Sequence, residues 1–157
     1  MDLRAHANLL LENLAAHLHQ PDHALALDDN NECFLTFESG VVVMFYFEPE
    51  IGALIINLPI AKMPQTARRE EVALELLFGN YSWNLTEGGT LGVDRTTGMI
   101  ALSYLIPLPL EHAAQLSHIV QKLAGVAGHW IRHLNLSDPS AIAPATSAEK
   151  AGHWIQL

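Results

Sequence analysis

Apolar residues at the start of the chain recur at the spacing that places them on one face of an α-helix. Gln20-Pro21 ends this pattern, because proline has no backbone N–H with which to continue a helix. The pattern therefore predicts an amphipathic helix over residues 2–19. Its apolar positions are Leu3, Ala7, Leu10, Leu11, Leu14 and Leu18.

The next apolar segments are short and are separated by residues that favour turns, among them Ser39-Gly40. Together they predict an antiparallel meander of strands. Both alternating sets of positions are apolar, so both faces of this sheet are expected to be dry. Helices on one face alone would leave the other face apolar and exposed unless a partner covers it. The predicted strands are Ala24–Leu27, Cys33–Phe37, Val41–Phe47 and Ala53–Leu58.

A second helix is predicted after a break at Pro59–Pro64, with Thr66 as its N-cap and Phe78 near its end. Gly79-Asn80 is a suitable stop. The apolar stripe of this helix is wide enough to be buried on two sides, which favours a symmetric contact with a second copy of the chain. The stripe consists of Ala67, Leu74, Leu77 and Phe78, and the positions that widen it are Val72, Ala73 and Leu76.

Two further strands, Thr90–Asp94 and Met99–Ile106, form a predicted hairpin, and a long last helix is predicted to start at Pro107-Leu108-Pro109. The predicted fold is α+β, with three helices on an antiparallel sheet in the order αββββαββα, as a two-layer sandwich that forms a homodimer. Residues 1–136 are expected to form this domain. Residues 137–157 are rich in Ala, Ser and Pro and are expected to form a flexible tail.

The composition narrows the classes of partner. The chain of 157 residues is 50% hydrophobic and 16% charged, and its formal net charge is −9. Scattered basic residues in an acidic chain argue against nucleic acid, and no apolar run is long enough for a membrane span. A single cysteine, Cys33, and a start unlike a signal peptide favour the cytoplasm. A chain with so few charged residues is expected to expose apolar surface, and such surface is typical of a contact with another protein.

The sequence offers few residues that could form a catalytic site. His118, His129 and His133 lie on the polar side of the last predicted helix, but no HExxH motif or further carboxylate completes a metal site. Cys33 lies in an apolar strand, where a thiol usually packs without reacting. We therefore expect no catalytic residues, no metal and no cofactor. A small metal-dependent enzyme that uses the three histidines is an alternative.

Three segments follow one another along the chain: Leu25–Phe37 with apolar strands to Leu58, Ala73–Asn80 with Trp83, and the turn at Gly88-Gly89 with Met99–Leu108. In this order, and over about residues 3–134, the chain resembles the Tir chaperone family, the class I chaperones of bacterial type III secretion. The resemblance implies a cytoplasmic homodimer without catalytic activity. Such a chaperone binds the extended N-terminal segment of one or more effector proteins and keeps it competent for secretion.

The resemblance also implies two sets of site residues, for which burial inside the same chain is the alternative. The dimer interface maps onto Val72, Ala73, Leu76 and Leu77. The effector-binding positions map onto Leu10, Leu14, Leu35, Phe37, Val43 and Phe45. A non-secretory adaptor that binds proteins through the same sheet is the second candidate function. The tail carries Trp154-Ile155, and it could contact the chain's own surface or a secretion ATPase, or have no role.

Overall fold

A computed structural model describes residues 2–18 and 25–137 of the chain. It has three α-helices, one 3₁₀ turn and a five-stranded antiparallel sheet. The predicted α+β class is confirmed. In chain order the elements are α1 (Leu3–His17), β1 (Glu32–Thr36), β2 (Val42–Glu48), β3 (Ala53–Lys62), α2 (Arg68–Asn80), the 3₁₀ turn (Tyr81–Trp83), β4 (Thr90–Val93), β5 (Met99–Pro107) and α3 (Ala113–Ser137).

The strands lie in the order β1-β2-β3-β5-β4, so β1 and β4 are the two edges of the sheet. Side chains alternate between the two faces of a strand. One face, the inner face, carries fully buried residues such as Phe45, Ile56 and Leu102. Helix α3 packs across this face against β2 and β3, α1 packs against α3, and α2 packs against β4. The core therefore lies between the inner face and the helices.

The strand predicted at Ala24–Leu27 is not formed. Ala24 lies outside the described residues, and residues 25–28 have no regular secondary structure. The N–H of Leu27 donates to Oδ1 of Asn8 at 2.8 Å, and Nη2 of Arg4 donates to the carbonyl of Asp28 at 2.8 Å. Side chains of α1 thus bind backbone groups that a β-ladder would need. The observed order is αβββαββα instead of αββββαββα.

The break predicted at Pro59–Pro64 is also wrong, because β3 continues to Lys62. A shift in register between Pro59 and Ala61 accommodates the proline. The ladder with β2 extends only to the pair of Met44 and Asn57, so at Pro59 the strand has β5 as its one partner. A residue without an N–H is tolerated there because no ladder bond to β2 is lost.

Two predicted helix starts differ from the structure as well. Helix α2 has Ala67 at its N-cap position with no side-chain cap, so Thr66 does not cap it as expected. Helix α3 begins at Ala113, because Pro107 still belongs to β5 and pairs with Ala53. Residues 138–157 of the predicted tail lie outside the described part of the chain.

Gly79 lies where α2 meets α3, and it provides a test of this packing. A Cβ atom at position 79 would lie 2.5 Å from Cζ2 of Trp130 and 2.9 Å from Cδ1 of Leu91. We expect Gly79→Ala to lower the free energy of unfolding by about 1–3 kcal/mol, as overpacking does. Urea denaturation of the purified protein measures this change.

The control is Gly125→Ala in α3, where a Cβ atom would meet nothing within 4 Å. That substitution should raise the free energy of unfolding by roughly 0.5–1 kcal/mol, because alanine favours a helix interior over glycine. Equal effects of the two substitutions would contradict the contact between Gly79 and Trp130.

Candidate interaction surfaces

Helix α2 and the following 3₁₀ turn expose a set of large apolar side chains. Leu77 is 65% exposed and Phe78 is 70% exposed, whereas Val72 and Leu76 on the opposite side of the helix are buried. Soluble proteins seldom leave so many neighbouring apolar side chains in water without a partner. We call this set the α2 surface, and its members are Leu74, Leu77, Phe78, Tyr81 and Trp83.

Hydrogen bonds from α3 and β4 position the α2 surface. Nε1 of Trp130 donates to the carbonyl of Leu85 at 3.1 Å. The side-chain amide of Asn80 makes two hydrogen bonds to the backbone of Leu91, at 2.8 Å and 3.0 Å. Trp83 has a φ of 55°, a left-handed backbone conformation that is rare for a residue of this size. The surrounding contacts must therefore stabilise the turn that presents the Trp83 side chain.

The face of the sheet opposite the helices forms a second apolar surface, which we call the outer sheet surface. Phe34 is 72% exposed and pairs with Met44 across β1 and β2. Leu105 is 49% exposed and pairs with Ile55 across β5 and β3. A shallow cavity of about 420 Å³, lined in part by Ile55 and Leu105, lies at this face. The outer sheet surface therefore consists of Phe34, Met44, Ile55 and Leu105.

The edge of β1 beside Phe34 is open for backbone pairing. In an antiparallel pair, alternate residues bond to the neighbouring strand and the others point away from it. The N–H of Phe37 donates to the carbonyl of Val41 at 2.9 Å, which directs Phe34 and Thr36 outward. Among residues 2–18 and 25–137, no backbone group bonds to the outward backbone groups of these two residues, and the N–H of Phe34 lies beside the Cys33 thiol. Such groups favour the addition of another strand.

Glu32, at the start of the same edge, differs from Phe34 and Thr36. Its N–H donates to Oδ1 of Asp28 at 2.9 Å, and its carbonyl accepts from the N–H of Asp28 at 2.8 Å. Partial burial raises the pKa of the Glu32 carboxyl, and the charge of Asp28 raises it further. Burial also raises the pKa of the Tyr46 hydroxyl opposite, with a contribution from Glu32. The open edge therefore begins beyond Glu32.

The candidate chemistry from the sequence gains no support from the geometry. Burial raises the pKa of the Cys33 thiol, which disfavours the reactive thiolate. Nε2 of His133 lies 3.1 Å from Oε2 of Glu75, and its ring stacks on that of His129 at 6.3 Å between centroids. Within the part of the chain that the structure describes, no three His, Cys, Asp or Glu side chains group as metal ligands. The contact between His133 and Glu75 joins α3 to α2.

The residues expected at a dimer interface fall into two groups. Val72 and Leu76 lie in the core of the single chain. Ala73 is partly buried, and Leu77 belongs to the α2 surface. Leu74 and Phe78, which lie on the same stripe as Leu77, are exposed as well and were not among the expected interface residues.

Most residues expected to bind an effector lie on the covered side of the sheet. Phe37 is partly buried. The other five, Leu10, Leu14, Leu35, Val43 and Phe45, are buried in the core. As they are placed, these five side chains are not accessible to a partner. The exposed residues on the opposite face were missed, because the sequence shows that both faces are apolar but does not show which one the helices cover.

The architecture described above is that of an α+β protein with helices on one face of its sheet and apolar residues exposed on the other. Residues 9–131 match the Tir chaperone protein (CesT) family, and the chain belongs to this family. No curated protein matches the chain. None of the helices among residues 2–18 and 25–137 is both long and apolar enough to cross a membrane.

Solved structures share this fold. The ExsC–ExsE complex contains a chain that is 23% identical, with a TM-score of 0.70, and the match covers 84% of this chain and 96% of that one. The HopA1–SchA chaperone–effector complex contains a chain that is 17% identical, with a TM-score of 0.67 and coverage of 82% and 95%. For the Yersinia pestis type III secretion chaperone SycH in complex with a stable fragment of YscM2, the identity is 15%, the TM-score 0.59 and the coverage 78% and 98%.

The same substitution is expected to have a large effect on stability on the buried side of α2 and a small effect on its exposed side. Leu76 is 5% exposed, so Leu76→Asp buries an unpaired carboxylate and should destabilise the fold by several kcal/mol. Leu77→Asp places its charge in water and should change the free energy of unfolding by about 0.5 kcal/mol or less. Chemical denaturation at low protein concentration measures both values. A large loss of stability in Leu77→Asp would contradict the orientation of α2.

Proposed function

We propose that the protein is a cytoplasmic type III secretion chaperone that acts as a homodimer and catalyses no reaction. It binds the extended N-terminal segment of one or more effector proteins and keeps that segment competent for secretion. Membership of the Tir chaperone family over residues 9–131 supports this role. The observation that carries the proposal is the presence of two separate apolar surfaces on one small chain. We assign one of them to a second copy and the other to a client.

The α2 surface is suited to a second copy of the chain. A symmetric dimer brings the same patch of each copy together, so an apolar helix stripe complements itself. Each large apolar side chain removed from water contributes roughly 1.5–3 kcal/mol, so a few such side chains per copy can offset the cost of association. Ala73 and Leu77 are accessible for this contact, and Val72 and Leu76 support it from inside the fold. We add Leu74 and Phe78 to the interface.

The outer sheet surface and the open edge of β1 are suited to a client. An extended segment that pairs with the backbone of Phe34 and Thr36 would direct alternate side chains onto the face that carries Met44. Backbone hydrogen bonds require no particular client sequence, which suits a chaperone with more than one client. The same surfaces would also serve a non-secretory adaptor, and family membership is what favours the chaperone.

The dimer proposal predicts that Leu74→Ser combined with Phe78→Ser converts the dimer into a folded monomer. Both side chains are exposed, so the substitutions remove apolar contact area between copies with little effect on the core. Sedimentation velocity at several concentrations measures the mass. The control is Leu9→Ser, an exposed leucine on α1 outside the α2 surface. A dimer that persists in the double variant with the affinity of the unaltered protein would contradict this interface.

The client proposal predicts that Phe34→Ser combined with Leu105→Ser weakens client binding. We expect the unaltered chain, purified gently from its own cells, to carry a larger protein bound through its N-terminal segment, which mass spectrometry would identify. Retention by the variant should fall at least about tenfold, the effect of losing about 1.4 kcal/mol.

Ile51→Ser is the matched control, because Ile51 is exposed in the turn between β2 and β3. Capture of the same client by the Phe34 and Leu105 variant at an unchanged level would contradict this binding surface. Purification of the chain without any larger protein, under conditions that induce secretion, would contradict the chaperone role.

A further inference from the structure

The second edge of the sheet, β4, is built differently from the edge at β1. The N–H of Asp94 donates to the carbonyl of Met99 at 2.9 Å, so Asp94 bonds toward β5. By the alternation of antiparallel strands, Gly92 also bonds toward β5, whereas Leu91 and Val93 direct their backbone groups away from the sheet. Leu91 lies in the middle of this outward edge.

Asn80 binds both outward backbone groups of Leu91. Its Oδ1 accepts from the N–H of Leu91 at 2.8 Å, and its Nδ2 donates to the carbonyl of Leu91 at 3.0 Å. A residue of a neighbouring strand would offer the same donor and acceptor pair. In addition, the N–H of Gly89 donates to the carbonyl of Thr86 at 2.9 Å. The centre of the β4 edge is therefore already hydrogen-bonded within the chain.

The chemistry of the side chain accounts for asparagine at this position. A side-chain amide carries one acceptor and one donor group in a fixed plane, as a backbone peptide does. Aspartate would accept from the N–H of Leu91 but could not donate to its carbonyl when ionised. Asn80 is the last residue of α2, and the adjacent Gly79 allows the helix to approach Leu91 and Trp130 closely.

We propose that Asn80 is a specificity-determining residue that closes the β4 edge to strand addition and so directs an extended client segment to β1. This inference deepens the proposed function and rests on it. At β1 no backbone group of residues 2–18 or 25–137 bonds to the outward groups of Phe34 and Thr36, whereas at β4 those of Leu91 are bonded to Asn80. Unpaired strand edges recruit other strands, so closing one of two edges selects the site.

The test uses the full chain and a generic strand-forming probe. The probe is a soluble peptide of alternating threonine and valine, flanked by lysines, with a nitroxide label at one end. Paramagnetic broadening of backbone amide signals in NMR spectra then reports which edge the peptide occupies. With the unaltered protein we expect broadening at Phe34 and Thr36 and none at Leu91 or Val93. In Asn80→Ala we expect broadening at both edges and a rise from one bound peptide to two per chain.

Two further variants separate edge selection from a general effect on stability. Asn84→Ala changes an exposed asparagine just after the 3₁₀ turn and should bind the probe as the unaltered protein does. Asn80→Asp keeps the acceptor for the Leu91 N–H but leaves the carbonyl open, so it should admit the probe at β4 more weakly than Asn80→Ala. If Asn80→Ala does not fold, Asn80→Asp decides the question by the same broadening at Leu91 and Val93.

The possible outcomes distinguish this inference from the proposed function. Binding at β4 in the unaltered protein, or no binding at β4 in either Asn80 variant, would overturn the role of Asn80. Binding at β4 in the variants without any binding at β1 would support the role of Asn80 and contradict the client site at β1. Binding at β1 alone in the unaltered protein and at both edges in the variants supports both.

Discussion

The contact between the indole of Trp130 and Gly79 is the constraint on which the arrangement of α2 depends. Without a side chain at position 79, α2 can approach α3 until the indole ring fills the space where a Cβ would be. The same ring donates a hydrogen bond to the carbonyl of Leu85 and so anchors the chain beyond the 3₁₀ turn. Asn80, the next residue, is thereby brought to the backbone of Leu91. One close approach thus positions both the α2 surface and the β4 edge.

The sheet has a second constraint, which is that the helices of residues 2–18 and 25–137 cover only one of its faces. The inner face buries its side chains under α1 and α3, whereas Phe34 and Leu105 on the outer face remain in water. This exposure has a cost in free energy that a monomeric enzyme of the same size would usually avoid. A net charge of −9 opposes nonspecific association of such chains. This combination of exposed apolar side chains and a high net charge is physically reasonable for a protein whose apolar surfaces are buried by its partners.

The accuracy of the sequence predictions varied with the range of the interactions involved. The spacing of Leu10, Leu11 and Leu14 predicted α1 correctly, because helix formation depends on neighbours three and four residues away. The strand expected at Ala24–Leu27 does not form because Asn8, which is distant in the sequence, binds the backbone of Leu27. The break expected at Pro59 is absent because a strand tolerates proline where one of its two sides has no partner strand. At Pro59, β3 is paired with β5 and not with β2.

By itself, the sequence determined the α+β class, the approximate extent of most elements and the presence of apolar residues on both faces of the sheet, since these follow from local periodicity and composition. Only the tertiary structure decided which face the helices cover, and hence that Val43 and Phe45 are core while Phe34 and Leu105 are surface. It also decided that Leu76 faces inward and Leu77 outward. The physical reason is that the hydrophobic effect favours the burial of an apolar side chain but does not specify which residues bury it. Those residues are selected when distant segments of the chain pack together.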